Sequence, residues 1–314
     1  MTFKTRSRTV KPVLVFPGQG TQYIGMGADL AHDFGVAKEV FQEVDDALNQ
    51  NLSALMFSGD IEELTQTQNA QPAIMAVSMA VVRILTQEMG STFMKNLSAV
   101  AGHSLGEYTA LCAANVLSLS DTAKLLRARG LAMAQACEQL QGGMLALIGT
   151  DMQQATDIAN QTGVYIANDN AVGQIVLSGS EINLDRAKAM AEQLGVRKVV
   201  PLAVAGAFHS PLMQQAADAM AEVLAQVAFQ KPSLPIYFNV TATPSLDPQQ
   251  FASLLTRQIV GTVRWRELIE NTHASYFVEC GAGNVLAGLI RRILPAADTV
   301  SVGTSADIKA LLAE

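Results

Sequence analysis

The hydrophobic pattern of the first half of the chain alternates short apolar runs with longer stretches of helical spacing. The runs at 13–16 and 97–101 have the length of buried strands, and each leads directly into a glycine-containing turn. Apolar residues then return at helical spacing, which predicts helices at 27–49, 61–89 (with a break near Gln71 and Pro72), 105–114 and 121–137. A repeated order of strand, turn and helix is typical of an α/β protein with a mostly parallel sheet.

A different pattern occupies residues 140–205. It contains four β-like runs and two helical ones, with strands at 144–148, 164–167, 174–178 and 198–204, and helices at 151–162 and 184–194. Residues 168–173 read as a turn-rich loop between the second and third strands. The order β-α-β-β-α-β is that of a ferredoxin-like unit. We therefore predict an inserted small domain at 140–205.

The pattern after this insert returns to that of the first half. It predicts strands at 236–239 and 276–280, and helices at 211–227, 249–260, 265–272 and 285–293, the last of which is expected to close the fold. The predicted organisation is a large catalytic domain formed by 13–139 together with 206–314, the small domain at 140–205, and an N-terminal arm at 1–12.

Composition narrows the class of protein. Hydrophobic residues make up 49% of the chain and charged residues 16%, which supplies a large core, and the net charge of −7 disfavours nucleic acid as a partner. The three cysteines, Cys112, Cys137 and Cys280, lack ligand spacing, so neither disulfides nor a metal site are expected. No signal-peptide core and no membrane-spanning stretch of about 18 apolar residues stand out. We expect a cytoplasmic protein that contacts no membrane.

The sequence Gly102-His103-Ser104-Leu105-Gly106 fits the G-x-S-x-G pattern of a nucleophile elbow. In such an elbow the serine occupies a tight strand-to-helix turn, where flanking side chains would collide and glycines are required. The following helix N-terminus favours developing negative charge, and the N–H of Leu105 can donate to an oxyanion. Three fixed positions also occur by accident in a glycine-rich chain, but the strand before and the helix after the pattern favour the elbow.

A serine nucleophile needs a base, and the chain has four histidines. His103 lies inside the elbow, and His32 and His273 lie in polar, helix-like surroundings. His209 follows a predicted strand and precedes a helix, where α/β proteins place site residues. A lone histidine is often structural, but the shortage of alternatives makes His209 the candidate base.

With these residues in place, the chain resembles the malonyl-CoA:acyl carrier protein transacylases, acyltransferases of fatty acid synthesis. Eight segments carry the resemblance, in order and nearly end to end: VFPGQGTQYIGMG at 15–27, TQNAQPAI at 67–74, GHSLGEYTAL at 102–111, RGLAM at 129–133, GGMLALIG at 142–149, GAFHSPLM at 206–213, RQIVGTVRW at 257–265 and VECGAGNVLAGLIRRI at 278–293. The resemblance implies an α/β-hydrolase-like large domain with a parallel sheet core and an inserted ferredoxin-like small domain.

The resemblance also implies catalytic roles. Ser104 matches the nucleophile, and His209 matches the general base. The backbone N–H groups of Gln19 and Leu105 are expected to form the oxyanion hole. Gln258 matches a residue whose backbone carbonyl orients the histidine, in place of the carboxylate of a Ser-His-Asp triad.

The remaining implied roles concern the acyl group. Arg129 matches the arginine that binds the free carboxylate of the malonyl group. Without the resemblance, Arg129 or its neighbour Arg127 fits equally well a solvent-exposed charge with no role in binding. The other substrate-binding candidates are Gln71, which is expected to line the acyl pocket but also fits a helix break; Asn168, which is equally a turn asparagine; Phe208, whose ring would exclude an α-methyl; and His103, beside the nucleophile.

The implied reaction is ping-pong transfer of malonyl from malonyl-CoA to the phosphopantetheine thiol of acyl carrier protein, through an ester on Ser104. No metal or cofactor is implied, and we expect a monomer. Thr262 departs from the family, in which proline is frequent at this position. An acidic carrier would suit a basic rim, for which the candidates are Lys198, Arg266, Arg291 and Arg292.

Three alternatives are weighed against this function. An esterase or thioesterase could use the same elbow, but no acidic triad member is evident near Gln258. A non-catalytic scaffold would not need Ser104, His209 and Arg129 together. A relative serving polyketide assembly or malonate decarboxylation would share the chemistry and differ only in its partner.

Overall fold

The computed structural model describes residues 11–90, 93–139, 141–204 and 206–313. Most of the predicted arm, residues 1–10, lies outside them, as do residues 140 and 205 at the predicted domain boundaries. The strands are β1 (Val13–Phe16), β2 (Ala99–Gly102), β3 (Gly142–Ile148), β4 (Tyr165–Ala171), β5 (Gln174–Ser180), β6 (Lys198–Pro201), β7 (Ile236–Tyr237), β8 (Pro244–Ser245), β9 (Tyr276–Cys280) and β10 (Asp298–Val302).

The α-helices range in length from 5 residues to 23 residues. They are α1 (Ala28–Asp33), α2 (Gly35–Leu48), α3 (Leu52–Ser58), α4 (Ile61–Thr65), α5 (Thr67–Met89), α6 (Gly106–Ala113), α7 (Leu119–Gln139), α8 (Met152–Thr162), α9 (Glu181–Gln193), α10 (Gln214–Leu224), α11 (Pro248–Val260), α12 (Trp265–Asn271), α13 (Val285–Ile293) and α14 (Ser305–Ala313). Short 3-10 helices occur at Met94–Asn96 and Pro211–Met213.

The larger sheet has the strand order β10-β9-β1-β2-β7-β8 in the described part of the chain. All neighbours pair in parallel except β7 and β8. Every residue of β1, β2 and β9 is buried, as expected of parallel strands covered on both faces by helices. The carboxyl ends of these central strands meet at one edge, where open α/β sheets place their ligands.

The smaller sheet is antiparallel, with the order β4-β5-β3-β6. Helices α8 and α9 pack against it around a separate apolar cluster that includes Leu147, Ile158 and Leu177. The chain order β-α-β-β-α-β and this strand order define a ferredoxin-like unit, so the predicted fold class is confirmed. The boundaries of the unit at 140 and 205 stay a prediction.

Helix α5 differs from the sequence prediction, because it runs unbroken through Pro72 and the break falls earlier, at Gln66. Proline removes one hydrogen bond to the carbonyl four residues before it, but Pro72 lies near the start of the helix and is itself buried. The helix packs against α2 and α7, and this burial outweighs the local preference.

Helix α5 bears on the expectation that no stretch of the chain spans a membrane. Of the helices that the structure describes, it alone has the length and hydropathy for such a span. However, 72% of its most apolar window is buried inside the protein, so α5 serves as a core helix.

Two further differences concern the strands. The turn-rich segment predicted at 168–173 is largely strand, because β4 continues to Ala171 through irregular pairing with β5. At the other end, α13 does not close the fold, because β10 extends the large sheet beside β9 and α14 follows.

Candidate active site

Ser104 occupies a sharp turn between β2 and α6. Its φ is +52°, in the left-handed region. For a residue with a side chain, this backbone conformation costs roughly 1–2 kcal/mol of conformational free energy. A Cβ on Gly102 would lie 1.9 Å from the carbonyl of Gly106, and one on Gly106 would lie 2.3 Å from the carbonyl oxygen of Phe16. Both flanking positions therefore require glycine, as the G-x-S-x-G pattern predicts.

His209 joins this turn from the segment before α10, 105 positions along the chain. Its Nε2 lies 2.8 Å from Ser104 Oγ, and its Nδ1 lies 2.8 Å from the backbone carbonyl oxygen of Gln258. Because a carbonyl can only accept, Nδ1 carries the proton and Nε2 of the neutral ring accepts from the serine hydroxyl. The geometry suits removal of the Ser104 proton.

The imidazole of His209 is held in its neutral form. Burial and the nearby Arg129 cation lower the pKa of His209 to about 3, against the opposing effect of the Gln258 carbonyl. The ring is therefore unprotonated at neutral pH and able to act as a base.

Arg129 projects from α7 to the same point and is only 1% exposed. Its guanidinium donates to Gln71 Oε1 at 2.7 Å, to Gln258 Oε1 at 2.9 Å and to Ser104 Oγ at 3.1 Å. These acceptors are neutral, and no described Asp or Glu forms an ion pair with Arg129. A buried cation whose hydrogen-bond acceptors are all neutral is suited to an anionic ligand.

A cavity of about 230 Å³ opens beside Ser104, between the two sheets. Its wall includes seven predicted site residues: Gln19, His103, Ser104, Arg129, Asn168, Phe208 and His209. The remainder is mainly apolar and includes Met133, Met144, Val176, Leu202, Val204 and Leu289. The structure thus brings the predicted nucleophile, base and cation to one pocket.

Three predicted residues lie behind the wall of this cavity. Gln71, expected to line the acyl pocket, is fully buried and contacts Arg129 and Met133, which do line the cavity. The Gln258 side chain donates to the carbonyl of Ser104 at 2.9 Å. The Leu105 side chain is in the core, and its backbone N–H lies at the start of α6, beside the nucleophile.

The smaller sheet reaches the site through β4. Asn168 is 5% exposed and bridges to Val263, so it is a strand residue rather than a turn asparagine. Asn170 Oδ1 lies 2.9 Å from Nε2 of His103. Thr262 Oγ1 donates to the carbonyl of Ile166 at 2.6 Å, which attaches the loop after Gln258 to the small unit. A proline at 262 could not make this bond.

Arg266, one candidate for the expected basic rim, is paired with acidic side chains. Arg266 forms an ion pair with the buried Asp169 at 2.8 Å and a second one with Glu270, so its charge is neutralised locally. Arg291 and Arg292 are exposed on α13, whose first residues line the cavity. Among the described residues, no group of three or more His, Cys, Asp or Glu side chains could hold a metal ion.

Two buried residues at the elbow escape sequence reasoning. Glu107 in α6 and Asn239 after β7 are both fully buried, and both join the hydrogen bonds around Ser104. The only signal for Glu107 was a carboxylate in an otherwise apolar helix. Asn239 had no local signal, because an asparagine at a strand end is common in turns.

Comparisons with known proteins show the family to which this chain is similar. The profile of the acyl transferase domain family matches residues 13–306. The malonyl CoA-acyl carrier protein transacylase of Bacillus subtilis (strain 168) is 39% identical over 300 residues, which cover 93% of this chain and 93% of that protein. The crystal structure of the acyl-carrier-protein-S-malonyltransferase from Bartonella henselae is 46% identical with a TM-score of 0.93, covering 97% of this chain and 99% of that one.

A third similar protein was solved with a partner. It is a malonyl-transacylase in complex with its type II PKS acyl-carrier protein, and it is 35% identical with a TM-score of 0.91, covering 96% of this chain and 99% of that one. The family profile and these relatives span nearly the whole chain. This chain therefore belongs to the acyl transferase domain family and, within it, to the malonyl CoA-acyl carrier protein transacylases.

Proposed function

We propose that this protein transfers the malonyl group from malonyl-CoA to the phosphopantetheine thiol of an acyl carrier protein, through an ester on Ser104. The observation that carries the proposal is the buried guanidinium of Arg129, 3.1 Å from the serine hydroxyl and without a carboxylate partner in the described chain. An acyl group on Ser104 that ends in a free carboxylate would supply the missing counter-charge.

In the first half-reaction, His209 Nε2 takes the proton of Ser104 Oγ as the oxygen attacks the malonyl thioester carbon. The N–H groups of Gln19 and Leu105 bind the oxyanion, since one residue lines the cavity and the other begins the helix after the nucleophile. The carbon–sulfur bond then breaks, and coenzyme A leaves with the proton from His209.

In the second half-reaction, the carrier thiol gives its proton to His209 and attacks the ester carbonyl. The carbon–oxygen bond to Ser104 breaks, and the proton returns to the serine. Throughout, the carboxylate lies against Arg129, which Gln71 and the Gln258 side chain hold in place. Asn168 and His103 also line the cavity.

The backbone carbonyl of Gln258 favours transfer over hydrolysis in this proposal. A carbonyl fixes the tautomer of His209 without adding negative charge, so the ring is less basic than one paired with a carboxylate. A weaker base is sufficient for a thiol and poorer for water. Phe208, a bulky ring on the cavity wall, is expected to disfavour an α-methyl branch, by roughly 1–3 kcal/mol.

An esterase or thioesterase is the second candidate. Its chemistry would use the same Ser104 and His209, but a hydrolase of neutral esters gives no reason for a buried cation at the nucleophile. A scaffold without activity is disfavoured by the 2.8 Å contact between nucleophile and base. The pathway stays open, because one similar protein serves a type II PKS carrier.

The cytoplasmic location, the monomeric state and the domain boundaries at 140 and 205 remain predictions. The location rests on composition, and the boundaries rest on the sequence pattern.

The decisive experiment is intact mass spectrometry after mixing the protein with malonyl-CoA. We expect a malonyl-sized adduct that is absent from Ser104→Ala and forms about 100-fold more slowly in Arg129→Ala, since charged hydrogen bonds to the carboxylate are lost. Arg127→Ala is the matched control, because Arg127 lies on the same helix and contacts Gln50 instead of Ser104. It should load like wild type.

Two outcomes would contradict the proposal. If acetyl-CoA forms its adduct on the wild-type protein as fast as malonyl-CoA does, Arg129 does not select for a carboxylate. Release of free malonate at the rate of carrier loading would favour the hydrolase.

A further inference from the structure

The side chain of Asn239 spans the nucleophile turn from behind. Its Oδ1 accepts the backbone N–H of Ser104 at 2.8 Å, and its Nδ2 donates to the carbonyl of Gly102 at 2.7 Å. A carboxamide accepts at its oxygen and donates from its nitrogen, so it can bond to both backbone groups at the same time. Asn239 therefore ties together the two ends of the bend that presents Ser104.

This bend is one that the backbone would not adopt unaided. Ser104 has a φ of +52°, and such conformations persist where several contacts determine them together. The glycines at 102 and 106 permit the bend but do not impose it. The two hydrogen bonds from Asn239 restrain both the residue before the turn and the nucleophile.

Asn239 is itself fixed by its backbone. Its N–H donates to Glu107 Oε2 at 2.7 Å, and its carbonyl accepts the N–H of Arg264 at 3.0 Å. Glu107 lies in α6, the helix that begins immediately after the elbow, and is fully buried. A closed ring of contacts thus runs from the strand before Ser104, through Asn239, to the helix after it.

Asn239 does not line the cavity and is fully buried, so it has no direct access to a substrate. We infer that Asn239 is a positioning residue for acyl transfer, whose carboxamide holds Ser104 Oγ in line with His209 Nε2. The inference rests on the proposed function of Ser104. It assigns Asn239 an effect on the rate of ester formation and none on substrate binding.

The test compares Asn239→Ala with wild type in single turnovers with malonyl-CoA, followed by rapid quenching and intact mass spectrometry. A misaligned nucleophile should lower the maximal rate of ester formation by about 10–100-fold. The malonyl-CoA concentration for half-maximal rate should change by less than about twofold, because no substrate contact is lost. Asn239→Leu is the second variant, since it keeps the branched shape but loses both the donor and the acceptor, and it too should be slow.

Asn69→Ala is the matched control. Asn69 is also a buried amide, and its Nδ2 donates to the carbonyl of Glu63 at 2.9 Å, away from Ser104. Its thermal midpoint should fall as in Asn239→Ala, while its rate of ester formation should stay that of wild type. A wild-type maximal rate in both Asn239 variants would overturn the inference. So would a change only in the malonyl-CoA concentration for half-maximal rate, or a loss of maximal rate in Asn69→Ala equal to that in Asn239→Ala.

A fluorophosphonate separates this inference from the proposed function, because it labels activated serines whatever their acyl substrate. Slow labelling of Asn239→Ala beside rapid labelling of wild type supports the positioning role, even if malonyl-CoA fails to load wild type. Rapid labelling of both proteins contradicts that role, even if malonyl-CoA loads wild type.

Discussion

At His209, a hydrogen bond to the carbonyl of Gln258 occupies the place that a carboxylate takes in a Ser-His-Asp triad. No negative charge therefore stabilises the protonated ring, and the Arg129 cation disfavours it further. Arg129 thus acts in the same direction as burial, and the hydrogen bond to the Gln258 carbonyl opposes both only in part. The base of this site is consequently neutral over a wider pH range than a free imidazole.

The lowered pKa of His209 predicts how the reaction depends on pH. A free histidine would lose most of its base form between about pH 6.5 and about pH 5.5. Here kcat/KM for malonyl-CoA should stay within about twofold between about pH 8 and about pH 6, with any acid limb well below the ordinary imidazole range. A steady-state pH profile checks this. A limb with its midpoint near about pH 6.5 would contradict the environment of His209 described above.

The same shift fixes the sign of a stability effect. Between about pH 3 and about pH 6.5, His209 binds a proton in the unfolded chain and not in the folded one. Acidification through this window therefore destabilises the fold, by up to about 1.4 kcal/mol per pH unit from this residue. The pH profile should be measured with the unfolding midpoint at each pH, so that loss of rate is not confused with loss of fold.

At the scale of elements, the site depends on how closely β1, β2 and α6 approach one another. Gly102 and Gly106 have almost no room for a side chain, because backbone atoms lie where a Cβ would be. By contrast, Gly288 in α13 has open space around its Cα. Glycine is thus required by close packing at 102 and 106, but not at 288.

This contrast predicts opposite outcomes for the same substitution. Gly102→Ala should displace the elbow or prevent folding, because its added Cβ would be 1.9 Å from the Gly106 carbonyl. Gly288→Ala should instead stabilise the protein by roughly 0.5–1 kcal/mol, the difference in helix propensity. Urea unfolding and Ser104 labelling measure both. Equal stability of the two variants would show that the elbow tolerates a wider turn.

At the scale of the whole molecule, the larger sheet supplies the nucleophile and the smaller sheet covers it. The net charge is −7, yet Arg291 and Arg292 lie exposed on α13, whose first turn reaches the cavity. Arg292 also contacts Gln174, which lines the cavity, so we expect an acidic carrier at this cavity to approach the arginine pair. Long-range attraction of this kind acts mainly on association and is weakened by salt.

The arginine pair therefore predicts a charge effect on the second half-reaction alone. Arg291→Glu should raise the carrier concentration for half-maximal rate by about 3–10-fold at low salt, with malonyl-CoA loading unchanged. Arg186→Glu is the matched control. Arg186 is an exposed arginine on α9, and no residue of α9 lines the cavity. Measurements at low and high salt test the mechanism. An unchanged carrier dependence in Arg291→Glu would place docking elsewhere.

Much of the fold was predictable because its causes are local. The runs of apolar residues defined most strands, and the β-α-β-β-α-β order indicated the ferredoxin-like unit before its strand order was known. The prediction was wrong where packing outweighs local preference, as in α5 across Pro72 and in β4 across Asn168. β10 was missed because it lies at the sheet edge and is only partly buried, so its residues do not form a run of apolar positions.

The sequence alone determined the nucleophile turn, since a serine between two glycines, with a strand before and a helix after, has few other uses. It also singled out His209 among the four histidines as the candidate base. Only the tertiary structure decided which groups surround them. It placed Arg129 at Ser104 and turned Arg127 away, moved Gln71 behind Arg129, and brought Asn239 to the elbow. These contacts join segments far apart in the chain, and such meetings depend on how helices and sheets pack, which no local pattern of residues records.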